Sequence, residues 1–366
     1  MMKVIISGGG TGGHIFPAIA IADALKDKDP LTEILFVGAE GKMEMERVPK
    51  AGYPIAGLPI RGLQRKLTWQ NALVPFRVLK SLWKAAGLLR TFRPDVAIGV
   101  GGYASGPLLY AAAKRKIPCL IQEQNSYAGI TNRLLAKRVN TVCVAYPGMQ
   151  AYFPSEKIVE TGNPVRADLE MIDAKREEGY THFHLDPTRK TLLAFGGSLG
   201  ARTINQSVQA LITETEVPDF QILWQTGRGY WSQWENQVEE LKQKGIHIMP
   251  FIDRMDLAYA VADLVICRAG ALTISELCLV ARPAILVPSP HVAEDHQTKN
   301  ARSIEQAGGC LVVKDAEAES KLMPLARELM HNDIKREALR QAIRKLAKPD
   351  AAREIVNEIW KLNKVK

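Results

Sequence analysis

The chain has 366 residues, 46% apolar and 24% charged, with a formal net charge of +9. That composition excludes a disordered or collagen-like chain and suffices for two domains of about 100–200 residues each. The positive balance points to a polyanionic partner, be it nucleic acid, an anionic membrane or a phosphorylated substrate. No RNP motif, zinc-finger spacing or basic arm marks a nucleic-acid binder, so nucleic acid is not an expected partner.

At the N-terminus, "KVIIS" reads as a short strand, too short for the apolar region of a signal peptide. It runs into "GGGTGGH" and then the apolar-periodic "HIFPAIAIADALKDK", a strand–turn–helix unit, with "EILFVG" as the next strand. Gly8, Gly10 and Gly13 fit G-x-G-x-x-G, and Glu40 is roughly placed for the ribose acid of a NAD site. That pattern explains neither His14 nor a second glycine loop later in the chain. The peptide N–H groups of such a loop, with the helix N-terminus behind it, form an anion site of any kind. Asp27-Lys28-Asp29 is a D-x-D, but it falls at the amino edge of the sheet, where a solvated turn is expected. No His or Cys spacing suggests zinc, and no metal site is expected.

Thr68 to Pro94 is a helical stretch with apolar bulk from Trp69, Leu73, Phe76, Leu79, Leu82 and Trp83. Arg77, Lys80 and Lys84 recur at helical spacing, with Arg61, Arg65 and Lys66 upstream. Two readings stand: a core helix with a basic solvent face, or an interfacial segment with aromatics among lipid headgroups and cations on anionic lipid. Pro75 marks a break or a late helix start.

"DVAIGVGGYASGPLLYAAAKRK" and "PCLIQEQNSYAGITNRLLAK" are each strand–loop–helix, and "TVCVAYPG" and "KIVETGNPVR" close the first half. Glu123, Asn125 and Asn132 are candidates to line the site, although singly each reads as a turn or cap residue. "TGNPVR" suits an interdomain turn. "TLLAFGGSLGARTINQSVQAL" then repeats the opening scheme of strand, glycine turn and helix. "FQILWQTG", "IHIMPFI", "ADLVICRAG", "RPAILVPSP" and "GCLVV" continue the second half, so strands alternating with helices imply two α/β halves with parallel sheets. Ligands in such sheets bind beyond the carboxyl ends of the strands.

In "CRAGALTISE", Thr273 and Glu276 form T-x-x-E, a capping box. The functional alternative gives the helix N-terminus a nucleotide diphosphate and gives the Glu276 carboxylate both hydroxyls of a ribose. In "PSPHVAEDHQTKNA" a helix begins near Asp295; its acids serve the N-terminus, or its polar groups, Gln297 among them, meet the hydroxyls of a hexose. The tail "AAREIVNEIWKLNKVK" is amphipathic and is expected to pack back on the first domain. That places domains at 1–163 and 164–346, with a C-terminal helix at about 347–366 returning to the first. Cys119, Cys143, Cys267, Cys278 and Cys310 are dispersed and form no C-x-x-C, which suits buried thiols in a reducing cytoplasm.

Taken together, "GGTGGH", "GVGGYASGP", "EQNSYAGITNR", "GNPVR", "GGSLGAR", "PFIDRM", "CRAGALTISE" and "HQTKNA" make the chain resemble the MurG family over essentially its whole length. These are UDP-N-acetylglucosamine:lipid I N-acetylglucosaminyltransferases of peptidoglycan synthesis. The resemblance implies a GT-B α/β fold, two Rossmann-like domains separated by a deep cleft. It implies UDP-GlcNAc as donor substrate, lipid I (undecaprenyl-diphospho-MurNAc-pentapeptide) as acceptor, and no resident cofactor. By the same resemblance Glu276 takes the ribose and backbone at Ile252 meets uracil. Ser198 and the Ala271–Thr273 turn hold the diphosphate, with Leu272, Ile274 and Ser275 beside them. Gln297, Asn125, Thr11, Gly12 and Gly13 meet the sugar, and Arg166 is a donor contact. The acceptor side falls to Gly10, Gly102, Tyr103 and Asn132. His296 departs from the glutamine that some members carry. The segment bearing Trp69, Phe76, Trp83, Arg77, Lys80 and Lys84 is then the face applied to an anionic inner leaflet, which makes the protein peripheral at the cytoplasmic side of the plasma membrane.

The expected reaction is an inverting transfer to the MurNAc 4-hydroxyl, giving lipid II with a β-1,4 linkage. His14 is the first candidate base, because its titration range suits neutral pH, with a helix-cap role as its alternative. Glu123 is the reserve base. A UDP-GlcNAc 2-epimerase of the same architecture is the rival reading.

Overall fold

The structure, a computed structural model, describes residues 1–60, 74–169, 171–213, 219–292 and 295–364. Two compact units divide it: Met1–Arg166 with Lys348–Lys366, and Ala167–Ala347.

Among the described residues the first unit has seven strands: β1 (Lys3–Ser7), β2 (Glu33–Ala39), β3 (Ile55–Leu58), β4 (Val96–Gly99), β5 (Cys119–Glu123), β6 (Thr141–Val144) and β7 (Ile158–Glu160). They lie in the order β3-β2-β1-β4-β5-β6-β7, all parallel. The second unit has β8 (Thr191–Phe195), β9 (Gln221–Gln225), β10 (Ile246–Met249), β11 (Leu264–Cys267), β12 (Ala284–Leu286) and β13 (Leu311–Val312). Their order, β10-β9-β8-β11-β12-β13, is again parallel and repeats the scheme of the first sheet. In both sheets the strand order reverses beside the first strand, between β1 and β4 and between β8 and β11. That switch point leaves a crevice at the carboxyl edge in this fold class.

Near-continuous apolar strands account for helices on both faces, because each strand buries alternate residues on opposite sides. Ile5, Val37, Ala97 and Ile121 enter one core of the first unit, and Val4, Ile6, Phe36 and Ile98 the other. In the second unit Leu193, Val265 and Leu286 face one way and Leu192, Ile266 and Ile285 the other. The Ala351–Lys364 helix belongs to the first unit, where Ile355, Val356 and Ile359 pack against Val4 and Ile21. All five cysteines are buried and free. Burial pushes the Cys119, Cys278 and Cys310 thiols up to about 12, so they stay protonated and inert. The D-x-D is a helix end rather than a turn: Asp27 and Lys28 are the exposed last residues of the Gly12–Lys28 helix, and the Asp29 carboxylate accepts from Leu31 N at 3.0 Å.

Candidate active site

In the first unit the glycine turn leaves β1 at the switch point and enters the Gly12–Lys28 helix with Thr11 as N-cap. It is pinned from below by Glu44, a fully buried carboxylate that accepts from Gly10 N and from Ala39 N, each at 2.9 Å. The facing turn after β4 packs on it through Gly102, whose φ is +86° and where a Cβ would lie 2.4 Å from the Gly9 carbonyl. Gly10 and Thr11 are exposed, and Tyr103 is half exposed, at this edge.

His14 sits in the first helical turn with its ring against Gly101. It makes no side-chain cap. Its Nδ1 lies instead 3.0 Å from Gln124 Oε1, at the end of β5. Desolvation is the largest influence on the ring and pulls its pKa below the ordinary value near 6.5; Glu123, Gln124, the Val100 carbonyl and Glu44 oppose it more weakly. The imidazole is therefore neutral at physiological pH, the state a base needs.

Glu123 and Asn132 sit differently from the sequence-based expectation. Glu123 is buried, and its oxygens accept from Asn125 N (3.1 Å), Asn125 Nδ2 (3.3 Å), Gly129 N (2.9 Å) and Asn132 Nδ2 (2.9 Å). Four donors occupy the carboxylate's lone pairs, so it organises the 123–132 loop, and its charge favours a protonated His14. Asn132 is buried too. Its Nδ2 donates to Glu123 and to the Gln122 carbonyl, which makes it a support of Glu123.

In the second unit the "GGSLG" turn leaves β8 with Ser198 exposed. Gly200, at φ +82°, packs where a Cβ would lie 2.3 Å from the Thr226 carbonyl. Gln225, at the end of β9, ties the parts together: its Nε2 donates to Gly197 O at 3.0 Å, and its Oε1 accepts from Ile252 N at 2.8 Å. The Ile252 N–H is thus committed, which leaves its carbonyl to offer a ligand.

The capping box is not formed. The helix is Ala271–Val280, with Gly270 as N-cap and no side-chain cap. It starts directly after the tight turn that follows β11, which puts Thr273 inside the first turn and Glu276 a full turn further on. Glu276 Oε2 instead accepts from the buried Tyr259 hydroxyl at 3.0 Å. Ser275 Oγ donates back to the Ala271 carbonyl at 3.0 Å, the Ile274 side chain is core, and Ile274 N donates to the Gly270 carbonyl at 2.9 Å. Ser289 N donates to Gln297 Oε1 at 2.8 Å, so the Gln297 amide has its NH2 to present. His296 opens the next helix, His296–Gln306. Arg166 is half-buried at the end of the first unit.

Sequence reasoning passed over Glu44, Gln124, Gln225 and Tyr259, and also Arg268. The Arg268 guanidinium pairs with Asp315 and donates to the Val287 carbonyl at 3.1 Å. Among the described residues no group of three His, Cys, Asp or Glu side chains is placed to hold a metal ion.

The Val74–Phe92 helix of the first unit carries Phe76, Leu79 and Trp83 on solvent, Trp83 being 80% exposed, with Lys80 between them. Its opposite side buries Ser81, Ala85 and Leu89. The core-helix reading therefore fails for Phe76 and Trp83. Arg77 is half-buried, and Lys84 pairs with Glu40 at 2.8 Å. Trp69, with Arg61, Arg65 and Lys66, lies outside the described residues. No helix among the described residues is long and apolar enough to cross a membrane.

Two doubly wound units of matching strand order, each with a glycine turn at its switch point, make up the GT-B fold. The glycosyltransferase family 28 N-terminal domain matches residues 4–144 and the family's C-terminal domain matches residues 191–355. The chain belongs to glycosyltransferase family 28 and, within it, to the MurG family. It is 52% identical over 360 residues to the UDP-N-acetylglucosamine–N-acetylmuramyl-(pentapeptide) pyrophosphoryl-undecaprenol N-acetylglucosamine transferase of Parabacteroides distasonis, covering 98% of each chain. The crystal structure of Acinetobacter baumannii MurG matches with a TM-score of 0.73 at 31% identity, over 99% of this chain and 100% of that one. A UDP-GlcNAc 2-epimerase from Neisseria meningitidis, bound to UDP-GlcNAc, matches with a TM-score of 0.67 over 99% and 100% of the two chains. Its 14% identity carries the fold alone.

Proposed function

We propose that this protein transfers N-acetylglucosamine from UDP-GlcNAc to the 4-hydroxyl of the MurNAc of lipid I, forming lipid II. The observation that carries the reading is the 52% identity to a transferase of that name over 98% of both chains. The epimerase reading has only a shared fold behind it.

The second unit is the donor side. Glu276, freed from any capping role and steadied by Tyr259, offers a carboxylate oxygen to the ribose diol. The Ile252 carbonyl is suited to accept the imide N–H of uracil. Ser198 and the peptide N–H groups of Ala271, Leu272 and Thr273 at the helix N-terminus suit the diphosphate, and Arg166 adds positive charge. Those N–H groups are aimed where the leaving UDP gains charge, which is how preorganised dipoles lower a barrier. No resident cofactor or protein-bound metal enters this account, and undiminished turnover after chelation is the result it expects.

The first unit supplies the base. The MurNAc 4-hydroxyl attacks the anomeric carbon from the face opposite UDP, the bond from that carbon to the diphosphate oxygen breaks, and the hydroxyl proton passes to neutral His14. Thr11, Gly12, Gly13 and Asn125 serve the sugars, while Gly10, Gly102 and Tyr103 serve the acceptor. Phe76, Leu79 and Trp83, with Lys80 and Arg77, form the surface that seats on anionic lipid at the cytoplasmic leaflet.

Labelled UDP-GlcNAc incubated with and without a lipid I analogue tests the function. UDP release that depends on the acceptor, with label in a lipid II product, is the expected result. Interconversion of the sugar without acceptor would hand the protein to the epimerase reading, and no reaction in either tube would reject both.

A further inference from the structure

We propose that Gln124 is a positioning residue that fixes the tautomer of His14, keeping the ring proton on Nδ1 and the lone pair on Nε2. The inference rests on His14 as the base in the reading above. Backbone carbonyls can only accept, so an amide group facing one must present its nitrogen. Gln124 Nε2 donates to the Val100 carbonyl at 2.8 Å and also to Gln122 Oε1. Both of its hydrogens are then used, and Oε1 is the atom turned to the ring, 3.0 Å from His14 Nδ1. An amide oxygen cannot donate, so Nδ1 carries the hydrogen.

The orientation of Gln124 is itself locked. Gln122 Nε2 donates to Asn163 Oδ1 at 2.9 Å, which leaves Gln122 Oε1 to receive Gln124. Asn163 Nδ2 in turn donates to the Gln124 carbonyl at 3.0 Å. The three amides are 0%, 2% and 3% exposed for Gln122, Gln124 and Asn163, so flipping one would set like groups against each other with little water to repair the loss. The chain is anchored on backbone carbonyls at two points, Val100 and Gln124 itself.

An amide partner also suits a base better than a carboxylate partner would. It sets the tautomer without adding charge, so it leaves the ring neutral before attack. The charged groups facing the ring are Glu123 and Glu44, and both favour the imidazolium that forms once Nε2 takes the proton. Glu123 is held by four N–H donors and Glu44 by two, so neither oxygen set is positioned to take over the Nδ1 hydrogen.

The test is heteronuclear NMR of isotope-labelled histidine in the full chain, with the His14 signals assigned by their loss in His14→Ala. Above the ring's titration range the wild type should show a protonated Nδ1 and a bare Nε2, and Gln124→Leu should show exchange between tautomers. In kinetics Gln124→Leu should lower kcat about tenfold or more, with the KM for UDP-GlcNAc within about twofold because the donor site is untouched. Gln124→Glu should move the acid limb of the kcat–pH profile upward by about one unit or more, because a carboxylate at that position favours the imidazolium. A merely structural residue would move neither the tautomer nor that limb. An Nε2-protonated ring in the wild type, or an acid limb unmoved in Gln124→Glu, overturns the proposal. Full turnover in His14→Ala would instead overturn the base reading, while the tautomer is still judged by the spectrum.

Discussion

The two glycine turns of this protein share a strand order and a place at the switch point, yet their surroundings differ in kind. Around the first, the strand ends carry buried carboxylates and amides: Glu44 under Gly10, Glu123 in its ring of N–H donors, and Gln122 and Gln124 leading to His14. Around the second lie an exposed Ser198, a helix N-terminus at Ala271 and a carboxylate, Glu276, shared with a tyrosine. Topology decides where a ligand can approach. The side chains at the strand ends decide whether the place handles a proton or an anion.

The comparison is broken most severely through the base. His14→Ala should lower kcat by about a hundredfold to ten-thousandfold, the usual contribution of a positioned general base. A loss below about threefold would remove His14 from that role. The sign of the pH dependence follows from the same ring. Its folded pKa lies below the unfolded one, so the unfolded chain binds the proton first as pH falls. The ring's contribution to stability is therefore intact above about pH 6.5 and is lost as pH drops through and below that value. The acid limb of kcat/KM, which reports the free enzyme, should accordingly fall below about pH 6.5, and a limb above it would contradict the burial argument.

The next effect concerns the exposed helix of the first unit. Replacing Phe76 and Trp83 together by serine should weaken sedimentation with anionic vesicles by about a hundredfold or more, taking roughly 1.5–3 kcal/mol per aromatic withdrawn from water. The wild-type binding should fall with added salt. Equal binding by variant and wild type would return this face to an ordinary solvent surface.

In the second unit Glu276→Ala should weaken UDP binding by about tenfold to a hundredfold, as hydrogen bonds to a charged group are worth about 1.5–3 kcal/mol. It should also reduce the preference for ribose over deoxyribose. Tyr259→Phe is the mildest change. Losing one neutral donor to the carboxylate should cost about fivefold in UDP affinity, and an unchanged affinity would mean that Glu276 needs no steadying.

Much of this was legible in the sequence because the fold is written locally. Apolar strands running into glycine, each followed by an amphipathic helix, announce a parallel sheet and place its loops. The site was less legible wherever partners are distant. Gly10 and Glu44 are 34 residues apart, His14 and Gln124 are 110 apart, and nothing near either pair marks the contact. Of the two readings that T-x-x-E leaves open, the capping box fails because the helix starts at Ala271, straight after a strand turn of small residues, rather than at Thr273. Glu123 and Asn132 looked like lining residues because a polar residue at a strand end reads the same whether it faces a ligand or is buried beneath one.

The division of labour between the units is the central claim, and UDP affinity measured by calorimetry on His14→Ala and Glu276→Ala tests it most directly. The account predicts that His14→Ala binds UDP as the wild type does although its turnover collapses, while Glu276→Ala loses affinity. A loss of UDP binding in His14→Ala of the same size as in Glu276→Ala would contradict it.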